Sequence, residues 1–160
     1  MDIESDEPIT ENNSLGPHQI RAKWGGAVSG GGLTGFLALP EVLIRGQHRL
    51  GLTATETMVL INVLMHWWKA GRKPFPGNHV IAKRMGISTR TVQRAFMKLE
   101  QKKIIIREVH RFHDEKTNKR HSFREIDLDY LVRRLNEIAD DLREYNRLNT
   151  DGDRTFKRMV

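Results

Sequence analysis

A single glycine between two short amphipathic segments constrains the fold of this chain most strongly. Residues 78–99 read NHVIAKRMGISTRTVQRAFMKL, and Gly86 divides them into two stretches with helical periodicity. In the first stretch the apolar stripe consists of Val80, Ile81 and Met85. Ala82 is small enough for a second helix to cross closely. Glycine readily adopts the left-handed conformation that ends a helix. The pattern predicts two helices that meet at a tight corner.

The second stretch begins with a typical capping residue and keeps one apolar face. Ser88 is placed to accept a hydrogen bond from a free backbone N–H of the first turn. Apolar residues at relative positions 0, 3, 4 and 7 predict the buried face of this helix: Val92, Ala95, Phe96 and Leu99. The helix is predicted over residues 89–102. Its outer face is expected to carry Thr89, Arg90, Gln93, Arg94, Met97 and Lys98.

A hairpin is predicted after these two helices. Residues 103–107, continued by Val109 and Phe112, are typical of a strand, and residues 122–126 are typical of a returning strand. The polar segment 114–120 between them is expected to turn. Three bases lie at or beside this turn: Lys116, Lys119 and Arg120.

The chain from Thr53 to Leu128 resembles the winged helix-turn-helix family. The resemblance lies in the order of its elements: one helix that starts after Thr53, the two motif helices on either side of Gly86, and the hairpin. The phrase ISTRTVQRAFMKLEQKKII is similar to the corresponding stretch of GntR-type regulators and of replication proteins from plasmids and phages. The resemblance implies a mainly α fold with a small β-hairpin wing, residues 107–124. It also implies binding of double-stranded DNA, with the second motif helix in the major groove and the wing against the backbone or minor groove.

The resemblance gives roles to the exposed residues of the second motif helix and its surroundings. An arginine fork matches guanine O6 and N7, and a glutamine amide matches adenine, so the expected base readers are Thr89, Arg90, Gln93 and Arg94. Residues at helix N-termini and at the hairpin tip are expected to contact phosphates instead. These are Ser88, Asn78, His79, Lys98, Lys116, Lys119 and Arg120.

Further elements complete a domain predicted over residues 34–128. Thr53 and Glu56 form a capping box, which starts a helix that is apolar nearly all round and is expected to end at Gly71. Such a helix must be covered on more than one side, so it is predicted to be the central helix. A short helix is predicted upstream over residues 36–48, and residues 73–76, KPFP, are expected to form an extended connector.

A C-terminal helix is predicted over residues 129–148. Its apolar residues recur at alternating intervals of 3 and 4, which is typical of a coiled-coil seam. Packing back on the same domain competes with pairing to a second subunit, and we favour a homodimer. The expected interface residues are Leu131, Leu135, Ile138, Leu142 and Tyr145. Residues 149–160 are expected to form a flexible tail.

The charge is unevenly distributed along the chain. The net charge is +7, but residues 80–124 alone hold 13 bases against four acids. This block favours a polyanionic partner, nucleic acid first and an acidic membrane second, although a generally solvated basic surface explains the charge equally well. Residues 1–13 hold five acids and no base, and glycines follow, so residues 1–33 are predicted to be a disordered arm.

Several classes of site are not expected. Without cysteine, the chain has no disulfide, thiolate zinc site or thiol nucleophile, which is typical of a reducing compartment. The predicted hairpin contains His110, His113 and His121, but a pair three apart on a strand does not converge and no carboxylate completes a recognisable ligand set. We therefore expect no metal and no cofactor. No catalytic constellation, small-molecule effector site, signal peptide or membrane span is recognised, so the protein is expected to be a cytoplasmic non-enzyme, nucleoid-associated when bound to DNA.

Three functional hypotheses follow. The first is a dimeric, sequence-specific transcriptional regulator, most often a repressor. The alternative is a DNA-binding protein of a plasmid- or phage-type replication initiation or partition system, because the segment FREIDLDYLVRRL also resembles replication-initiator domains. An adaptor that uses the fold to bind protein is a third alternative.

Overall fold

The computed structural model describes residues 37–69, 71–114 and 118–159, with side-chain positions up to residue 148 except at Asp114. The predicted arm at residues 1–33 lies outside this part of the chain. The secondary-structure elements all belong to one compact unit, Leu39–Val160. They are α1 (Glu41–Arg45), α2 (Ala54–Leu64), α3 (Asn78–Met85), α4 (Thr89–Gln101), β1 (Ile106–Asp114), β2 (Lys119–Asp127) and α5 (Asp129–Met159).

The predicted capping box starts α2. Thr53 Oγ1 accepts a hydrogen bond from the Glu56 backbone N–H at 3.3 Å, and the Glu56 carboxylate accepts one from the Thr53 N–H at 2.8 Å. Burial opposes ionisation of Glu56, but hydrogen bonds from Lys102 and Thr53 outweigh it, so the pKa of Glu56 lies below its usual value. The helix is shorter than predicted. It ends at Leu64, and tighter turns then allow Trp67 to pack against the core.

The core lies between α2, α3, α4 and the first part of α5. The predicted inner face of α4 is confirmed, since Val92, Ala95, Phe96 and Leu99 are all buried. In α3 the buried residues are Ile81 and Ala82, of which Ala82 is the small residue expected at the helix crossing.

The two strands form an antiparallel pair with a continuous register, from Ile106 opposite Asp127 to Asp114 opposite Lys119. The first strand starts later than predicted, because Ile104 and Ile105 are buried in the core after a left-handed residue closes α4. The predicted connector, residues 73–76, lies outside any helix or strand of the structure. It joins the sheet edge through one hydrogen bond, from the Ile126 N–H to the Pro74 carbonyl at 2.8 Å.

The apolar stripe of α5 packs against its own chain. Leu131, Leu135 and Ile138 are only 1%, 8% and 5% exposed, and they belong to the same hydrophobic core as α2 and α4. Their prediction as dimer-interface residues is therefore corrected, since the core of one chain already covers them. Leu142 is half-buried against this core, whereas Tyr145 is exposed.

Both terminal helices differ from their predicted lengths. The upstream helix α1 has five residues instead of the predicted 36–48, and it begins after Pro40, whose extended conformation makes it the N-cap. At the other end, α5 continues to Met159 and thus includes residues 149–159 of the predicted tail. This segment contains no proline, so each added residue can extend the helical hydrogen-bond ladder. No helix within the described ranges is both long and apolar enough to cross a lipid bilayer.

Candidate nucleic-acid interface

The corner between α3 and α4 has the geometry that the glycine predicts. Gly86 is left-handed, with φ 64° and ψ 30°, and the Ile87 N–H donates to the Ala82 carbonyl at 3.1 Å. These features form a Schellman motif, which satisfies the last carbonyls of a helix and redirects the chain. Gly86 therefore fixes the angle at which α4 leaves α3.

The C-terminus of α4 repeats this motif without a glycine. Lys103 is left-handed, with φ 53°, and its N–H donates to the Glu100 carbonyl at 2.9 Å. The next N–H, of Ile104, donates to the Leu99 carbonyl at 2.9 Å. Because both helices of the motif end in the same closed turn, α4 is held at both ends.

The N-terminus of α4 uses Ser88 as predicted for a cap. Its Oγ accepts a hydrogen bond from the Thr91 N–H at 3.1 Å and lies 2.9 Å from Thr91 Oγ1. The hydroxyl of Ser88 is thus occupied within the helix. Any attraction of an anion to this end must come mainly from the first backbone N–H groups and the helix dipole.

The outer face of α4 is open along its length. The four predicted base readers Thr89, Arg90, Gln93 and Arg94 are all exposed. Arg90, Gln93, Arg94 and Met97 follow at positions 0, 3, 4 and 7, so they form one row along the helix. This row presents two guanidinium groups, an amide and a thioether to solvent.

The hairpin has two chemically different faces, because side chains alternate along a strand and directly paired residues share a face. At the base of one face, the Arg107 guanidinium stacks over the Phe96 ring at 5.0 Å and donates to Glu100 at 2.5 Å. This face therefore contacts α4. We call it the basic wing face, and further from α4 it carries Arg111, His113, Arg120 and Arg124.

The sequence prediction missed Arg111 and Arg124 because it concentrated on the hairpin tip. Of the three predicted tip residues, Lys116 lies outside the described residues, and Lys119 and Arg120 are exposed. The register places Lys119 on the opposite face from Arg120. Strand alternation combined with the correct register would have found the row of arginines.

The remaining predicted phosphate contacts are not all equivalent. Lys98 is exposed on α4. At the start of α3, Asn78 is half-buried, and the exposed His79 turns its ring back towards Gly77, where a Cβ would lie 2.8 Å from His79 Cε1.

One cation of α3 is engaged by a histidine of the segment that follows α2: Arg84 donates a hydrogen bond to His66 Nε2 at 3.1 Å. Burial, with Arg84 as a second cause, lowers the pKa of His66.

The cations of this region fall into two groups. Lys102 and Arg107 are neutralised by carboxylates, since Lys102 Nζ lies 2.5 Å from Glu56 and Arg107 is paired with Glu100. Among the described residues of α4 and the basic wing face, a second group of exposed cations has no carboxylate within ion-pair distance: Arg90, Arg94, Lys98, Arg111, Arg120 and Arg124. These unpaired cations lie on α4 and on the basic wing face, where their positive potentials add.

The opposite hairpin face carries carboxylates and aromatic rings. Glu108 and Glu125 are directly paired across the strands, and His110 Nε2 lies 3.0 Å from Glu125 Oε2. The expectation that the hairpin histidines hold no metal stays a prediction. It considered spacing along one strand, whereas the register brings carboxylates from both strands to His110.

The connector also reaches this cluster. Lys73 Nζ lies 2.9 Å from Glu108 Oε1 and 2.9 Å from Asp127 Oδ2. Hydrogen bonds to Glu108 and Asp127 raise the pKa of Lys73. The other oxygen of Glu108, Oε2, lies 4.0 Å from His110 Nε2.

Comparison with known proteins identifies the motif. Residues 50–105 match the family model of a helix-turn-helix domain. No curated protein sequence matches the chain. Among solved structures, a possible transcriptional regulator from Methanosarcina mazei Go1 is 18% identical, with 70% of this chain and 86% of that chain covered and a TM-score of 0.43. The S. aureus MepR protein in its DNA complex is 18% identical, with 75% and 90% covered and a TM-score of 0.36.

The family match spans the central helix α2 and both motif helices, and the hairpin follows it directly. The resemblance and the fold class predicted from the sequence are thereby confirmed. Residues 50–105 match a helix-turn-helix domain, and the hairpin of β1 and β2 that follows them gives the winged arrangement predicted from the sequence.

Proposed function

We propose that this protein binds double-stranded DNA, with α4 in the major groove and the basic wing face against the phosphate backbone or the minor groove. The observation that carries this proposal is that exposed, unpaired cations lie both on the outer face of α4 and on the basic wing face. An α-helix fits the width of the major groove, and cations without carboxylate partners are available to phosphates.

Different residues serve specificity and positioning in this arrangement. Arg90 and Arg94 present forks that suit guanine O6 and N7, Gln93 presents an amide that suits adenine, and Thr89 lies at the edge of the row. Phosphates are contacted by the backbone at Ser88 and by surrounding cations, which carry no sequence information. The positioning group consists of Asn78, His79, Lys98, Arg111, Lys119, Arg120 and Arg124, and, on the sequence prediction alone, of Lys116.

The biological role that we favour is sequence-specific transcriptional regulation, with repression by occupation of an operator. A homodimer would read two half-sites related by a twofold axis. Because Leu131, Leu135 and Ile138 are covered within one chain, we expect such a dimer to use the outer part of α5. Tyr145 and Leu148 are exposed there, at 64% and 59%.

One observation favours a second role, in replication initiation or partition. The stripe that suggested a dimer is accounted for by packing within a single chain, so no second subunit is needed to bury it. A monomeric module that binds directly repeated sites, as at an origin, is consistent with that packing. The symmetry of the recognised DNA distinguishes the two roles, since a dimer selects inverted repeats and a monomer selects single or directly repeated sites.

Selection of bound duplexes from a random pool tests the proposal. The full chain is expected to enrich a defined motif, and Arg90→Ala is expected to lose preference at one position of that motif. Arg143→Ala is the matched control, because Arg143 is an exposed arginine paired with Asp140 on α5. Failure of the full chain to enrich any sequence would contradict sequence-specific binding, and an equal loss in the control would contradict the role of α4.

A further inference from the structure

We propose that Glu108, His110 and Glu125 form a binding site for a divalent transition-metal ion, Zn²⁺ in the first instance. The site lies on the hairpin face opposite the basic wing face, so it is separate from the proposed contacts of Arg111, Arg120 and Arg124 with DNA. Its three side chains each offer one ligand atom, and these atoms all lie within 4.8 Å of one another.

The register of the hairpin produces this arrangement. Glu108 and Glu125 are direct cross-strand partners, and His110 lies two residues beyond Glu108 on the same face. Ligands that share a Zn²⁺ ion, with bonds of about 2.0–2.2 Å, lie at most about 4 Å apart. His110 Nε2 is 3.0 Å from Glu125 Oε2 and 4.0 Å from Glu108 Oε2, so both distances from the imidazole already lie within this range.

Two carboxylates that face each other across a strand pair repel and destabilise the hairpin. Lys73 relieves this only in part, because its Nζ lies at Glu108 Oε1, while Oε2 of the same carboxylate is left on the side of His110. A divalent cation between Glu108 and Glu125 neutralises both carboxylates at once. The arrangement of charge therefore favours a cation at this position.

The imidazole is held in place before any ion binds. The His110 ring stacks on the Phe123 ring with their centroids 5.1 Å apart and their planes at 19°. Phe123 in turn contacts the ring of Phe75 from the connector, at 5.4 Å. Such support from neighbouring groups fixes the orientation of a metal ligand and strengthens binding.

The donor set indicates the class of ion. One imidazole nitrogen with two carboxylate oxygens suits Zn²⁺ and its neighbours, whereas Mg²⁺ and Ca²⁺ prefer oxygen ligands alone. Three protein ligands leave a fourth tetrahedral position for water. The side chains of Glu108 and His110 are each 44% exposed and that of Glu125 is 28% exposed, so the ion can enter from solvent.

Calorimetric titration of the untagged full chain with Zn²⁺ tests the site without any DNA. We expect one equivalent to bind the natural chain, and His110→Gln to weaken binding by at least about tenfold. His113→Gln is the matched control, because His113 is exposed on the same strand but on the opposite face. Its affinity is expected to stay within about twofold of the natural value.

Absence of binding to the natural chain would overturn the proposal, and so would an equal loss in the two histidine variants. Amide NMR spectra recorded during the titration provide a second measurement, and spectra of the variants in chelator verify that they fold. Shifts are expected around residues 108–110 and 123–125, and shifts centred on any other histidine would also overturn the proposal. Because DNA is absent, either result leaves the proposed function to its own test.

Discussion

Replacement of Ile138 by alanine tests whether α5 belongs to the core of its own chain. Ile138 is 5% exposed, so nearly all of its side chain is removed from water. The substitution deletes three carbon atoms, worth about 0.8 kcal/mol each in transfer free energy, or about 2.4 kcal/mol together. The cavity that remains adds a further cost.

The surroundings of Ile138 indicate that this cavity cannot collapse easily. On one side lies Gly46, whose Cβ position would be only 3.1 Å from Ile138 Cγ2, so the neighbour has no side chain that could move into the space. We therefore expect Ile138→Ala to lower the free energy of unfolding by about 3–4 kcal/mol. Tyr145→Ala, on the exposed part of the same helix, is expected to change it by less than about 0.5 kcal/mol.

Urea unfolding followed by circular dichroism gives both values. The measurement is repeated at two protein concentrations about fiftyfold apart, because the stability of a dimer depends on concentration whereas packing within one chain does not. The difference between Ile138→Ala and the natural chain is expected to be the same at both. A loss below about 1 kcal/mol, or a loss that grows with protein concentration, would refute packing of Ile138 within its own chain.

Other predictions concern the two helix ends, the buried carboxylate and the wing. Gly86→Ala should destabilise the protein by about 1 kcal/mol, because residue 86 has a left-handed φ that alanine adopts only with strain. Residue 103 also has a left-handed φ, so Lys103→Gly should stabilise the protein by up to about 1 kcal/mol. Urea unfolding measures both changes, and a change of the opposite sign in either variant would contradict the conformational argument. The lowered pKa of Glu56 contributes stability above its ordinary value of 4.5, and this stability is lost as the pH falls through the lower folded-state value. Glu56→Gln should therefore flatten the acid side of the stability–pH curve, and an unchanged curve would exclude this linkage. Arg124→Ala should weaken binding of all DNA sequences alike, and by more than Lys119→Ala does, because Lys119 lies on the opposite hairpin face. Equal effects of the two substitutions in a competition assay would argue against contact between the basic wing face and DNA.

The local elements around the motif could be predicted because each depends on neighbouring residues alone. The left-handed corner at Gly86, the cap at Ser88 and the capping box at Thr53 follow from backbone sterics and from hydrogen bonds within one turn. The inner face of α4 followed from periodicity. These same features place the candidate base readers on the outer face, so this part of the site was also predictable.

The wing face and the role of α5 depend on contacts between distant residues. The sequence around Arg111 and Arg124 does not state which residues are paired, so it could not separate the basic face from the face with Glu108 and His110. An apolar stripe has the same periodicity whether it packs on its own chain or on a second subunit. The burial of Leu131 could therefore be known only from the tertiary structure.

The dependence of DNA affinity on salt concentration tests the proposed function most directly, because it counts the phosphates that the exposed cations neutralise. For the selected duplex and the full chain, about six to eight neutralised phosphates predict a slope of log K against log salt of about −5 to −7. Arg124→Ala is expected to make this slope shallower by about one. A flat dependence in the natural chain would contradict the proposal that these cations bind the DNA backbone.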